Sequence, residues 1–275
     1  MSLATPLAAA DLEAYFQRIG YEGSRPPTLA TLQGIHLRHP QAIAFENLSS
    51  FLGHSVDLEL SSLVQKLVYG DRGGYCFEQN ALLRSVLTTL GFAVTGLGAR
   101  VLWNLPPDTL TPRSHMVLLV EIEGEPYIAD VGFGGLTLTA PLRLVPDLVQ
   151  ETPHEPFRLI QSEGFWVLQA QIAQDWKPLY QFELQAQYPC DYEVSNWHVS
   201  TYPKSLFVNN LIAARVDRER RYGLRNTELA THFLAGTTEK RHITDAAELE
   251  TVLTNIFKLR LPETSDFSRL FSAQG

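Results

Sequence analysis

Apolar residues recur at helical spacing through the first ninety positions. Leu12, Tyr15, Phe16 and Ile19 fall on one face of a helix, with Asp11 as its expected cap and Gly20 as its stop. Thr28 is placed to cap a second helix, which carries Leu29, Leu32 and Ile35 and is expected to end before Pro40. Ser61 or Ser62 opens a short third helix over Leu63, Val64, Leu67 and Val68, stopped by Gly70. A fourth helix is predicted after Gly73-Gly74, with Phe77, Ala81, Leu83, Val86, Leu87 and Leu90 turned inward and Gly91 ending it.

The pattern then changes. Residues 92–103, 116–122, 127–131, 157–160, 165–170 and 179–184 read as strands, and many short strands between turn signals predict a barrel or a sandwich. Trp103 and Trp166 are expected in its core. Residues 105–114 hold three prolines and read as a loop. From Cys190 the pattern is mixed: residues 211–216 and 227–233 look like a strand pair joined across 217–226. Asp245 then caps a helix with Glu248 at capping-box spacing and an apolar stripe of Leu249, Val252, Leu253, Ile256 and Phe257. There is no internal repeat and no long linker, so the three regions are expected to pack as one body.

Composition narrows the class. Of 275 residues, 45% are hydrophobic and 19% charged, which excludes disorder along the whole chain and leaves enough apolar material for a sizeable core. The net charge of −8 argues against nucleic acid as the main partner. The one basic cluster, Arg218, Arg220 and Arg221 around Glu219, reads as a hairpin tip in water. Two cysteines make no disulfide framework and suggest a reducing compartment. The first ten residues lack the basic region of a signal peptide, and no run is long enough for a membrane span. A soluble cytoplasmic protein without membrane or nucleic-acid partners is expected.

The candidate chemistry starts at Cys76, which follows Asp71-Arg72-Gly73-Gly74-Tyr75. Two glycines allow a sharp entry into the fourth helix, and a sulfur at a helix N-terminus sits where an anion, hence the nucleophilic thiolate, is favoured. The competing reading is a small core hydrophobe. A thiol enzyme also needs a base and a group to orient it. His36, His39, His54, His154, His232 and His242 read as surface residues, and His198 is less distinctive. His115 differs, because it opens the strand of a hairpin whose return strand runs through Asp130. If Glu123-Gly124 is a two-residue turn, His115 opposes Gly132 and Asp130 is its diagonal neighbour on the same face. A three-residue loop would put them on opposite faces. Asp130 stands among Tyr127, Ile128, Ala129 and Val131, so it is either a partnered buried acid or an edge-strand aspartate in water. Gly132-Phe133-Gly134-Gly135 follows, reading as a close approach for a ligand or as a flexible strand end. Cys190, without a glycine lead-in or an obvious base, reads as inert and buried. A metal site is not indicated, since His36 and His39 alone lack a ligand signature.

These residues resemble a known family. Arg72-Gly73-Gly74-Tyr75-Cys76-Phe77-Glu78-Gln79-Asn80 is similar to the Arg-Gly-Gly-x-Cys-x-Glu-x-Asn signature of the arylamine N-acetyltransferases. Ala44-Phe45-Glu46-Asn47-Leu48 resembles the family's Pro-Phe-Glu-Asn-Leu, with alanine in place of the usual proline. Ser114-His115-Met116 and Asp130-Val131-Gly132-Phe133-Gly134 match its histidine and aspartate stretches. Segments 191–197 and 200–207 resemble its later region, so the likeness spans nearly the whole chain.

The resemblance implies an α+β fold with a helical bundle over residues 1–90, a β-barrel over 91–190 and an α/β lid over 191–275. A Cys-His-Asp triad like that of papain-like proteases would lie between the first two. It implies transfer of acetyl from acetyl-CoA to arylamines, arylhydrazines and N-hydroxyarylamines through an acetyl-cysteine on Cys76. His115 would be the base and Asp130 its orienter. Local donors must meet the CoA phosphates in so acidic a chain, and Gly132, Gly134 and Gly135 are the candidates. Phe133 is expected either to line the amine pocket or to serve as a core aromatic. Arg72 and Glu46 are expected to pair and hold the cysteine turn, and Asn80 to bond a backbone group near the triad. Two rival readings are a thiol amidase or peptidase, which gives the acyl group to water, and a non-catalytic binding protein.

Overall fold

The computed structural model describes residues 5–106, 109–263 and 265–271. Pro107 and Asp108 of the proline-rich loop and residues 1–4 of the apolar start lie outside these. Helix α1 (Ala9–Ile19) begins two residues before its expected cap. Asp11 sits instead in its first turn, where a carboxylate faces the positive end of the helix dipole. Gly20 closes it in the left-handed conformation, at φ +62°. Helix α2 (Leu29–Ala42) is capped by Thr28 as predicted, but it runs through Pro40. The proline falls in the last turn, where it forfeits one hydrogen bond and is itself buried. His36 and His39, one helical turn apart before the proline, are fully buried rather than on the surface.

A two-residue strand, β1 (Phe45–Glu46), and a single turn, α3 (Leu48–Phe51), follow. The third predicted helix starts one residue early as α4 (Leu60–Leu63) and continues as a π-helical turn over Val64–Tyr69. Leu63, Val64, Leu67 and Val68 are buried as the periodicity required. Helix α5 (Cys76–Thr89) has Cys76 as its first residue.

Seven antiparallel strands come next: β2 (Ala93–Val101), β3 (His115–Ile122), β4 (Glu125–Ala129), β5 (Leu142–Arg143), β6 (Phe157–Ser162), β7 (Phe165–Ile172) and β8 (Asp175–Ala186). Their order is β5-β4-β3-β2-β8-β7-β6. Isolated bridges from Pro146 to Leu159 and from Gln150 to Phe157 bring the two edges together, so the sheet is nearly closed into a barrel. Leu97, Val117, Ile128, Phe157, Leu168 and Phe182 fill it, with Trp166 buried and Trp103 packed half-buried against them. The other face of β2 and β3 presents Val94, Met116, Leu118 and Val120 to the helical core. Strand β3 is thus covered on both sides, which explains its unbroken apolar run.

The chain after residue 188 holds more structure than the sequence pattern showed. Helix α6 (Pro189–Thr201) has proline in its first turn and Asp191 accepting the Tyr188 N–H at its start. A single turn, α7 (Leu206–Asn209), follows. Strands β9 (Ile212–Val216), β10 (Arg220–Arg225), β11 (Glu228–Phe233) and β12 (Thr238–His242) form a second sheet in the order β1-β9-β10-β11-β12. The expected pairing of 211–216 with 227–233 is therefore wrong: β10 lies between them. Its arginines hid it. Arg221 is buried, bound through Nε and Nη2 to the Glu155 carboxylate, and only Arg218 and Glu219 form the exposed tip. Helix α8 (Ala246–Asn255) is capped by Asp245, but Glu248 turns to the Thr244 N–H rather than completing the box. Leu249, Val252, Leu253 and Phe257 are buried as expected. Among the described residues no helix is long and apolar enough to cross a membrane.

Candidate active site

The turn before Cys76 is fixed from three sides. A Cβ on Gly73 would fall 2.0 Å from the Ala44 carbonyl oxygen, so only glycine fits there. Arg72 donates through Nε and Nη2 to Glu46 Oε1 at 2.9 and 2.7 Å, and Glu46 Oε2 accepts the Leu48 N–H at 2.6 Å. Glu46 is fully buried, so the expected pair is a buried one. Glu78 accepts the Tyr75 N–H at 3.1 Å and meets Lys66 at 2.5 Å, so the π-helical turn supplies the cation for the start of α5. Burial pushes the Glu78 carboxyl up, against the pull of Lys66.

Gln79 closes the third side. Its Nε2 donates to the Ala44 and Gly74 carbonyls at 2.9 and 3.1 Å, so its oxygen is the acceptor facing His39 Nε2 at 2.6 Å. That assigns the His39 proton to Nε2 and leaves Nδ1 to accept from the Tyr15 hydroxyl at 2.8 Å. Sequence reasoning missed His36, His39 and Gln79. The signal was present, because Leu32, Ile35, His36 and His39 stand at i, i+3, i+4 and i+7, one helical stripe. Reading both histidines as polar surface residues concealed it.

The hairpin places His115 as the spacing argument required. Glu123 and Gly124 form the two-residue turn at φ +53° and +83°, and Leu118 pairs with Ala129. His115 Nε2 meets Asp130 Oδ2 at 2.7 Å, with Asp130 fully buried. Strand β4 ends at Ala129, two residues short of the prediction, because side chains take the next backbone N–H groups. That of Asp130 donates to His36 Nε2 at 3.0 Å and that of Val131 to Asn80 Oδ1 at 3.1 Å. Asn80 Nδ2 bridges the Met116 carbonyl and Asp130 Oδ1 at 2.7 and 2.9 Å. The Gly132 N–H adds a bond to the same oxygen at 2.8 Å.

Cys76 is buried, with Sγ 3.6 Å from the Ser114 carbonyl oxygen. Asp130 occupies His115 Nε2, which leaves Nδ1 as the ring nitrogen for the thiol. Burial opposes the charge on His115, but the Asp130 carboxylate and the Asp130 and Cys76 hydrogen bonds outweigh it and raise the pKa to about 10. Burial likewise opposes the Asp130 charge, and His115, Asn80 and Gly132 together hold its carboxyl below the usual range. Tyr180 packs its ring 4.8 Å from that of His115, and Phe133 packs edge-on at 5.3 Å. Burial, then the neighbouring Asp130 charge, keep the Tyr180 phenol neutral.

Gly132 must be glycine, since a Cβ there would meet the Cys76 Cα at 2.7 Å. Its N–H serves Asp130 and that of Phe133 serves Thr137 at 3.4 Å, so neither is offered to a ligand. Gly134 lies over the Phe45 ring, and the Gly135 carbonyl accepts from Arg221 at 3.3 Å. Of the other sequence candidates, Cys190 is exposed, not buried, because its helix turns it outward. His154 is half-buried, with Nε2 at the Asp217 carbonyl, whereas His54, His232 and His242 are exposed as expected. His198 is exposed and stacks on Tyr202. Among the described residues no cluster of three or more His, Cys, Asp or Glu could hold a metal ion.

The chain is similar to known proteins over most of its length. The N-acetyltransferase family model matches residues 28–266. Arylamine N-acetyltransferase of Mycobacterium tuberculosis H37Rv is 44% identical, over 94% of this chain and 92% of its own. The arylamine N-acetyltransferase / N-hydroxyarylamine O-acetyltransferase of Salmonella typhimurium is 38% identical, over 90% of this chain and 88% of its own. The structure of Mycobacterium marinum arylamine N-acetyltransferase in complex with CoA superposes with a TM-score of 0.90 at 42% identity, covering 94% of this chain and 96% of that one. The chain belongs to the arylamine N-acetyltransferase family.

Proposed function

We propose that this protein transfers the acetyl group of acetyl-CoA to the nitrogen of arylamines and arylhydrazines, and to the oxygen of N-hydroxyarylamines, through an acetyl-cysteine at Cys76. The observation that carries the reading is the buried row of Asp130, His115 and Cys76, with a 2.7 Å bond from carboxylate to imidazole and the thiol at the start of a helix. In this reading the three residues act as a papain-like triad.

His115 takes the thiol proton and Asp130 stabilises the resulting imidazolium. The Cys76 sulfur attacks the thioester carbonyl, and the Cys76 backbone N–H faces the developing oxyanion. The bond to the CoA sulfur breaks, and CoA leaves as the thiol with the proton from His115. The amine nitrogen then attacks acetyl-Cys76 and gives its proton to His115. The carbon–sulfur bond breaks, the sulfur recovers the proton, and the amide departs. CoA leaves before the amine enters, so one cleft serves both substrates.

Residues 1–90 carry the nucleophile in this reading, residues 91–190 carry His115 and Asp130, and residues 191–275 act as a lid. Arg72, Glu46 and Asn80 hold the reacting groups in place. The 132–135 segment meets the CoA phosphates through the Gly134 and Gly135 N–H groups, Gly132 having spent its own on Asp130. Phe133, against the His115 ring, forms a wall of the amine pocket. A free, ionisable Cys76 suits a reducing compartment such as the cytoplasm.

The test is intact-mass spectrometry after mixing the protein with acetyl-CoA and no amine. A gain of one acetyl group is expected, stable until an arylamine is added and absent in Cys76→Ala. An adduct that decays to free enzyme in water alone would identify a thiol hydrolase instead. No adduct and no release of CoA thiol would remove the catalytic reading.

A further inference from the structure

Two histidines lie behind the reacting groups, and the mechanism above uses neither. His36 and His39 are fully buried one turn apart on α2. His39 is committed to Tyr15 and Gln79. His36 is committed to Asp130: its Nε2 accepts the Asp130 backbone N–H at 3.0 Å.

That contact stands at a critical point of the chain. The Asp130 N–H has left the β4 ladder, which stops at Ala129. In a fully dry site it would cost free energy if unmet. The carboxylate of the same residue is already held by His115, Asn80 and the Gly132 N–H, and the Asp130 carbonyl accepts from Thr137 at 3.1 Å. His36 therefore supplies the backbone end of a residue whose every other polar group is engaged. The contact also fixes the state of the ring. An imidazolium would turn an N–H toward an N–H, so the bond exists only while His36 is neutral. Burial enforces this strongly, Asp130 opposes it, and His39 assists it, leaving the His36 pKa at about 3.

We propose that His36 is a positioning residue for proton transfer at Cys76: its neutral ring anchors the Asp130 amide and, through it, the line from the Asp130 carboxylate to His115. The inference rests on the reading of Cys76, His115 and Asp130 as the reacting groups. The titratable groups that face His36 are Asp130 and His39, and those that face His115 are Asp130, Cys76 and Tyr180.

The experiment follows Cys76 in full-length wild type, His36→Leu and His36→Gln by two readouts. One is the rate of acetyl transfer to Cys76 from acetyl-CoA. The other is the pH profile of Cys76 alkylation by iodoacetamide, which needs no acetyl donor and reports the His115 proton. Leucine removes the acceptor, whereas glutamine can present an oxygen to the same N–H. His36→Leu is expected to slow acetylation about tenfold at unchanged KM and to move the deprotonation of His115 down by about one pH unit. His36→Gln is expected to recover both to within about threefold of wild type.

A folded His36→Leu with wild-type rate and profile would overturn the proposal. So would equal losses in both variants, which would make the role one of packing. If His36→Leu does not fold, His36→Gln decides alone, and a tenfold loss in it refutes the role. A wild type that takes no acetyl group but shows a His36-dependent alkylation profile would overturn the acetyl-transfer reading and support the positioning role.

Discussion

The two histidines of α2 should make this protein lose stability in mild acid. Burial lowers both, His36 to about 3 and His39 to about 4, from an ordinary value of 6.5. In the unfolded chain each binds a proton below pH 6.5, while in the folded protein neither does until far lower. The unfolded state therefore holds more protons across that window, and stability falls as pH falls through it. At about pH 5 an unfolded histidine lies some 1.5 units below its pKa, which is about 2 kcal/mol each and ~4 kcal/mol for the pair. That is a large part of the 5–15 kcal/mol typical of a folded protein. Glu78, pushed up by burial, works in the opposite direction over the same window. His115, raised to about 10, contributes stability that is fully present below 6.5 and is lost as pH rises toward 10, so it offsets the loss only between pH 7 and 6.5. Asp130 is lowered, and its contribution is lost only below the ordinary carboxylate range. His154, half-buried, is also lowered by burial and pulls the same way. The assay is urea unfolding at about pH 7 and pH 5, with His39→Gln reducing the difference by about half. Equal stability at the two pH values would refute the assignment of both rings as neutral and dry.

Three other outcomes follow from the site. Cys76→Ala should abolish acetyl transfer with a near-native circular dichroism spectrum, and His115→Ala and Asp130→Ala should each lose about a thousandfold or more in kcat/KM. Arg72→Ala strands the fully buried Glu46 and should cost about 3–5 kcal/mol in urea unfolding, where two unconnected surface charges would cost almost nothing. Gly132→Ala drives a methyl group toward the Cys76 Cα and should lose at least about tenfold in acetylation rate. Gly135→Ala, with open space around its Cβ, should leave the melting temperature unchanged within about 0.5 kcal/mol of stability.

The proposed reacting residues were legible because short-range rules place them. A two-residue turn fixes the parity of a hairpin, and that parity put His115 and Asp130 on one face before any contact was known. The Gly-Gly lead-in announced a helix start at Cys76 in the same way. What surrounds them was less legible. Arg221 looks like a solvated charge, yet Glu155, far away in sequence, neutralises it and makes β10 an interior strand. His36 and His39 look polar, and only the tertiary partners Asp130, Gln79 and Tyr15 make their burial tolerable. Local propensity carries no information about such partners. Helix α6 is the exception, since proline at its first turn and Asp191 three residues after Tyr188 were readable signs.

The two-residue strand β1 has a consequence for how the protein is made. Phe45 pairs with Ala214 and Glu46 with Ala213, while Phe45 also bridges to Gly74 in the turn before Cys76. The backbone that frames Cys76 is thus stitched to residues synthesised long after it. Translation at about 5–20 residues per second puts on the order of ten to thirty seconds between the two partners of that pairing. Through that interval the nascent chain carries its thiol without the second sheet to brace the turn. A polypeptide halted before residue 211 would possess all three proposed reacting side chains and an unfinished scaffold for the first of them.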